Sequence, residues 1–259
     1  MIFETHAHYD DKRFEKDRDR LIASLPEQGV AKVINVGADF QGCQDSIALS
    51  EQYQYVYAAV GIHPENIEEL PGSYEWIREN ISHKKVVAVG EIGLDYYWEK
   101  DAQKQKEQRA GFIKQLQIAK EASLPVIIHS RDAAADTFEI IKNEAAGRIT
   151  GVVHCYSYSK EYALEYVKMG YYIGIGGVVT FKNAKKLKET AAAVDLEHIL
   201  LETDCPYMAP EPYRGKRNDS TLLKYVAEEI AKIKQISVQE VIEQTAHNAD
   251  KLFLSERRK

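Results

Sequence analysis

Cysteine is scarce in this chain: three residues in 259, Cys43, Cys155 and Cys205, far apart from one another. An odd number without close spacing argues against a disulfide framework and fits a reducing cytoplasm. Long apolar runs are also missing; none approaches the roughly 20 residues needed to cross a bilayer. No basic n-region leads into an apolar h-region at the N-terminus, so no secretory signal is expected. Positive charge is not in excess. The formal net charge is −6, which speaks against a broad nucleic-acid-binding face and leaves any polyanion to a local basic patch or bound metal. Pro/Ser-rich linkers, low-complexity tracts and breaks in composition are absent, so one domain over residues 1–259 is expected, with neither a membrane nor an obligate protein partner.

What is present suits a globular chain: 44% apolar and 29% charged residues are enough to bury a core. Short β-favouring runs recur at Met1 to Thr5, Lys32 to Val36, Tyr55 to Val60, Lys85 to Val89, Pro125 to Ile128, Thr150 to Val153, Tyr171 to Ile175 and His198 to Leu201. Helical patterns separate them, such as Asp17 to Gln28 and Gln103 to Ala122, and Thr221 to Ile233 follows the last strand. Strands alternating with helices imply parallel pairing, since each crossover needs a helix. Runs such as Val86-Val87-Ala88-Val89 are apolar throughout, as strands covered on both faces must be. Eight such units in about 250 residues predict an α/β fold, a closed (β/α)₈ barrel of the TIM type. Ser237 to Phe253 adds a C-terminal helical extension. An open doubly wound sheet is the competing arrangement.

Chemistry in such barrels sits at the C-terminal ends of the strands. Those positions hold His6 and His8 after the first run, His63 after the third, Glu91 after the fourth, His129 after the fifth, His154 after the sixth and Asp204 after the eighth. Five of the eight histidines fall there; His83, His198 and His247 do not. His6 and His8, two apart on a strand, present their rings to one side. An open metal site takes about four protein ligands at most. Six candidates therefore suit two divalent ions: His6, His8 and Asp204 on one, His129 and His154 on the other, and Glu91 between them. Such a pair can activate water and stabilise both oxygens of an in-line displacement. The donor set accepts Mg, Mn or Zn without choosing among them. Glu202, two residues before Asp204, is expected to accept a ring N–H from a ligand histidine. His63 is either a weak extra ligand or, as we favour, a donor to a substrate oxygen. The Arg214-Gly215-Lys216-Arg217 loop suits phosphate oxygens, and Tyr96, Tyr97, Trp98, Tyr156 and Tyr158 could stack on bases.

Taken together, Thr5-His6-Ala7-His8, Gly61-Ile62-His63-Pro64, Gly90 to Asp95, His129-Ser130-Arg131, His154-Cys155-Tyr156-Ser157, Gly174 to Thr180, Glu202 to Pro206 and Arg214 to Asn218 run from end to end of the chain. In this order they resemble the TatD family of metal-dependent hydrolases, a branch of the amidohydrolase-like barrels. The resemblance implies a TIM barrel, divalent metal and deoxyribonuclease activity of the 3′-to-5′ exonuclease type. It carries the metal ligands onto His6, His8, Glu91, His129, His154 and Asp204, phosphate contacts onto His63 and Arg214, and support of the site onto Glu202. Two positions depart from the pattern: Ser220 stands where proline is usual, and Tyr156 where phenylalanine is. The expected substrate is a short single strand or DNA end, with Glu91 and Asp204 as catalytic carboxylates and Asp204 as the proton acceptor. A small-molecule phosphoester, ester or amide hydrolase is the alternative, and a non-enzymatic binding module is a third reading.

Overall fold

The computed structural model describes residues 1–145 and 147–255. Within them, parallel strands follow one another in spatial order as in sequence: β1 (Ile2–Ala7), β2 (Val30–Val36), β3 (Val56–Val60), β4 (Val86–Asp95), β5 (Val126–Arg131), β6 (Gly151–Val153), β7 (Tyr172–Ile175) and β8 (Ile199–Leu201). The last edge meets the first through the parallel bridge of Ala7 with Cys205, so the sheet curls round almost to closure. Helices α1 (Arg18–Ser24), α2 (Phe40–Gln52), α3 (Leu70–Asn80), α4 (Ala102–Ala122), α5 (Ala134–Ile140), α6 (Lys160–Lys168), α7 (Lys185–Ala193) and α8 (Leu223–Lys234) form the outer ring, and α9 (Val238–Phe253) ends the fold. The TIM-type barrel expected from the alternation is the architecture found. No helix among the described residues is long and apolar enough to cross a membrane.

Side-chain alternation divides the core into layers. Phe3, Ile34, Ala59, Val87, Ile127, Val152, Tyr172 and Leu200, one from each strand, pack together with Ala249, Leu252 and Phe253 of α9. The terminal helix therefore covers the apolar inner layer at the end of the barrel opposite the histidines. Neighbours pointing the other way, such as Val126 and Ile128, join Phe112, Leu116 and Ala119 of α4. Burying one such aliphatic side chain is worth roughly 1.5–3 kcal/mol.

Two segments differ from expectation. Helix α1 stops at Ser24 rather than reaching Gln28, because Pro26 has no N–H to continue the helical ladder. Strand β4 runs six residues beyond Val89, to Asp95, and all ten of its residues are buried. Its glycines permit this rather than ending it. Gly93 pairs with His129 at φ +146°, and a Cβ there would lie 1.9 Å from the His129 carbonyl oxygen. Only glycine lets β4 come so close to β5.

Candidate metal centre

Strand β1 and the residue that follows it deliver His6 and His8 to one side of the barrel interior, and the chain after β8 is laced to them. His6 O accepts the N–H of Asp204 and Cys205 O that of His8, both at 2.9 Å. Asp204 takes a left-handed backbone, φ 57°, which a short polar side chain tolerates better than most. Around this seam, His6 Nε2 and His8 Nε2 lie 3.1 Å apart. Asp204 Oδ1 is 3.3 Å from His8 Nε2 and 3.8 Å from His6 Nε2.

Glu91 divides its two oxygens between two groups of imidazoles. Its Oε2 is 3.3 Å from His6 Nε2 and 3.8 Å from His8 Nε2. Its Oε1 is 2.8 Å from His129 Nδ1, 3.0 Å from His154 Nε2 and 3.6 Å from His63 Nε2. Burial alone would raise the Glu91 carboxyl, but the surrounding imidazoles outweigh it and hold the group well below its ordinary range.

Outer partners decide which ring nitrogens face inward. His8 Nδ1 lies 2.8 Å from Val36 O, so it carries the proton and leaves the Nε2 lone pair for the cluster. His129 Nε2 lies 2.9 Å from Asp95 Oδ2 and leaves Nδ1 toward Glu91. His6 and His154 stack with centroids 3.8 Å apart. Glu202 lies beside this stack, its Oε1 3.5 Å from His154 Nδ1 and accepting the N–H of Cys155. Its carboxylate fits because residue 174 is glycine: a Cβ there would lie 2.3 Å from Glu202 Oε2.

These residues fit divalent metal. The inward Nε2 lone pair of His8, the His6 Nε2 beside it and two ionised carboxylates converge within 4 Å, an arrangement of acceptors that a cation relieves. Three groups could hold an ion: His6, His8 and Asp204; His63, Glu91 and His129; and His6, His154 and Glu202.

His63 differs from the others. It follows β3, and its Nδ1 accepts the N–H of Glu65 at 3.2 Å as the next helical turn begins. The ring proton is thereby placed on Nε2, which suits a donor rather than a ligand. Burial and the neighbouring His129 push its pKa down to about 3, so it is neutral.

Above the cluster opens a cavity of about 1200 Å³ whose walls include Lys12, Arg13, Trp98, Arg131 and Tyr207. Its cations are not those of the Arg214 to Arg217 loop. Arg214 is exposed, with its guanidinium 4.3 Å from the centre of the Phe181 ring, and does not line the cavity. Arg217 is held by Asp17 through two 2.7 Å hydrogen bonds. Arg13 and Arg131 wall the cavity instead, 4.0 Å over Tyr207 and 3.9 Å over Tyr97, with Arg13 itself paired to Asp11 at 3.1 Å. Asp95 is the other residue that sequence reading missed. It shares a face with Glu91 once β4 is known to continue, since the two are four apart on one strand. Of the departures from the family pattern, Ser220 donates its N–H to Tyr9 Oη, as proline could not, and Tyr156 Oη bonds Ser159 O.

The chain is matched over residues 3–254 by the family model described as TatD related DNase. It is 42% identical over 254 residues to the uncharacterized metal-dependent hydrolase YabD of Bacillus subtilis strain 168, covering 98% of this chain and 99% of that protein. It is 36% identical over 256 residues to the uncharacterized metal-dependent hydrolase YcfH of Escherichia coli K12, covering 98% and 96%. The crystal structure of YjjV, a TatD homologue of Escherichia coli K12, superposes with a TM-score of 0.91 at 32% identity, covering 98% of each chain.

Proposed function

The chain belongs to the TatD family of metal-dependent hydrolases, and from that premise we propose that it is a deoxyribonuclease. The reaction is hydrolysis of a phosphodiester at the 3′ end of DNA, with single strands preferred. The observation that carries the reading is the division of Glu91 between the His6/His8 pair and the His129/His154 pair. A carboxylate so placed suits a bridge between two divalent ions, Mg, Mn or Zn, with His6, His8 and Asp204 on one side and His129 and His154 on the other. When bound, such a pair would activate water and neutralise charge on the phosphate.

The chain's own residues supply the rest. Asp204 turns Oδ1 toward His6 and His8, and we assign its other oxygen to accept the proton of the attacking water. Burial opposes its ionisation, but the neighbouring imidazoles of His8, His154 and His6 keep the carboxyl below its ordinary range. Neutral His63 offers Nε2–H to a phosphate oxygen. Asp95 and Glu202 orient His129 and His154. Lys12, Arg13 and Arg131 meet the flanking phosphates, and the exposed Arg214 serves those farther along the strand.

Digestion of 3′- and 5′-end-labelled oligonucleotides across a metal series, beside a panel of small esters, amides and phosphoesters, tests this. Metal-dependent shortening from the 3′ end is expected. Turnover confined to small molecules would instead place the chain with other hydrolases built on this scaffold.

A further inference from the structure

Tyr97 and Trp98 follow β4 and stand 44% and 62% exposed, large rings that packing leaves to solvent. Trp98 walls the same cavity as Glu91, His129 and Arg131. The two rings meet edge to face, with centroids 4.7 Å apart. The Arg131 guanidinium lies 3.9 Å from the Tyr97 centroid and 5.6 Å from that of Trp98.

This group is not a loose rim. The N–H groups of Tyr97 and Trp98 both donate to Asp95 Oδ1, at 2.9 and 3.0 Å. The other oxygen of that fully buried carboxylate holds His129 Nε2. Asp95 also pairs with Arg131 across the β4–β5 ladder, and Tyr96 N–H donates to Arg131 O at 2.8 Å. One carboxylate and one ladder thus fix the backbone that carries the two rings and the guanidinium relative to the imidazole that faces Glu91. An aromatic face beside a cation is the chemistry that receives a base and its phosphate. A neutral amide or ester would use neither.

We propose that Trp98, with Tyr97 and Arg131, forms a nucleobase subsite beside the catalytic cluster, stacking the base of a nucleotide next to the cleaved bond. The proposal rests on the phosphodiesterase reading and adds to it a requirement for a base. It is tolerant of sequence, because every base has a π face. Asp95 is its positioning residue: it sets the distance between the stacking face and His129.

The chain has two tryptophans, and Trp76 meets the Phe40 ring on the outer helices. Trp76→Phe therefore leaves Trp98 as the sole reporter. The probes are a thymidine tetranucleotide with hydrolysis-resistant phosphorothioate linkages and the same backbone carrying abasic residues. We expect the base-bearing probe to quench Trp98 and to bind roughly 5- to 150-fold more tightly than the abasic one, the range for stacking a single base. Anisotropy of labelled probes should show that preference lost in Trp98→Ala, reduced in Arg131→Ala and largely kept in Trp98→Phe. Equal affinity for both probes, or absence of quenching, overturns the subsite. Hydrolysis of the unmodified oligonucleotide is followed in parallel. Hydrolysis with equal affinities overturns the subsite alone; base-dependent quenching without hydrolysis upholds the subsite and overturns the nuclease reading.

Discussion

Glu4 Oε1 accepts the backbone N–H of Thr203 at 2.9 Å, joining residues 199 apart in sequence inside the barrel. The same oxygen accepts the N–H of His6 at 3.1 Å. One buried side chain therefore spans the seam between β1 and the segment carrying Asp204. Glu4→Ala should leave two buried donors unpaired, at about 1–3 kcal/mol each, and weaken metal binding at His6, His8 and Asp204. Glu4→Gln should restore both, because its amide oxygen still accepts. Calorimetric metal titration of the two variants checks the pair.

Burial pushes the Glu4 carboxyl up from 4.5 to about 8. The folded chain then holds a proton that the unfolded chain has released, so its contribution to stability is full below about pH 4.5 and declines as pH rises to about 8. The slope is at most about 1.4 kcal/mol per pH unit. Urea unfolding of metal-free protein from pH 5 to 8 should lose stability less steeply in Glu4→Gln than in the parent. Parallel curves would show that Glu4 is ionised throughout.

Asp95→Asn should disturb His129 without touching Glu91. An amide N–H₂ turned toward His129 Nε2–H sets donor against donor, driving the ring to carry its proton on Nδ1 instead. Metal affinity or activity is expected to fall about 10- to 100-fold, the usual cost of losing such a partner. Affinities measured by competition with a chelator decide it.

His63→Ala tests the donor reading. We expect kcat to fall by about 10²-fold, as when a donor to a developing oxyanion is lost, with metal content unchanged. Loss of an ion in this variant, read by elemental analysis, would make His63 a ligand instead.

Asp204→Asn keeps one ligating oxygen but removes the proton acceptor. The expected outcome is near-complete loss of kcat with at least one ion and oligonucleotide binding retained. A pH–rate profile with substantial activity in the metal-loaded variant would move the proton elsewhere, with Glu202 the next candidate.

The sequence revealed most of the barrel because the apolar runs and the helices between them are regular, and because strand ends marked where ligand-type residues gather. His6, His8, Glu91, His129, His154 and Asp204 could be picked out by type and place, and the structure brings all six together. Asp95 could not, because Gly90 and Gly93 look like the end of a strand until the close approach of β5 is seen. Where the cations of the basic loop lie was hidden for a similar reason. Arg217 is claimed by Asp17, a partner 200 residues away in sequence, and nothing local to Arg214 shows that it lies over Phe181. Arg131 was within reach, two residues beyond His129 on the same strand face.

The central claim, a pair of ions shared by Glu91, is tested most directly by anomalous diffraction from crystals equilibrated with Mn²⁺. Two peaks are expected, flanking the Glu91 carboxylate. One should lie against His6, His8 and Asp204, and the other against His129 and His154. A single peak at saturating metal, or two peaks not bridged by Glu91, would contradict the account.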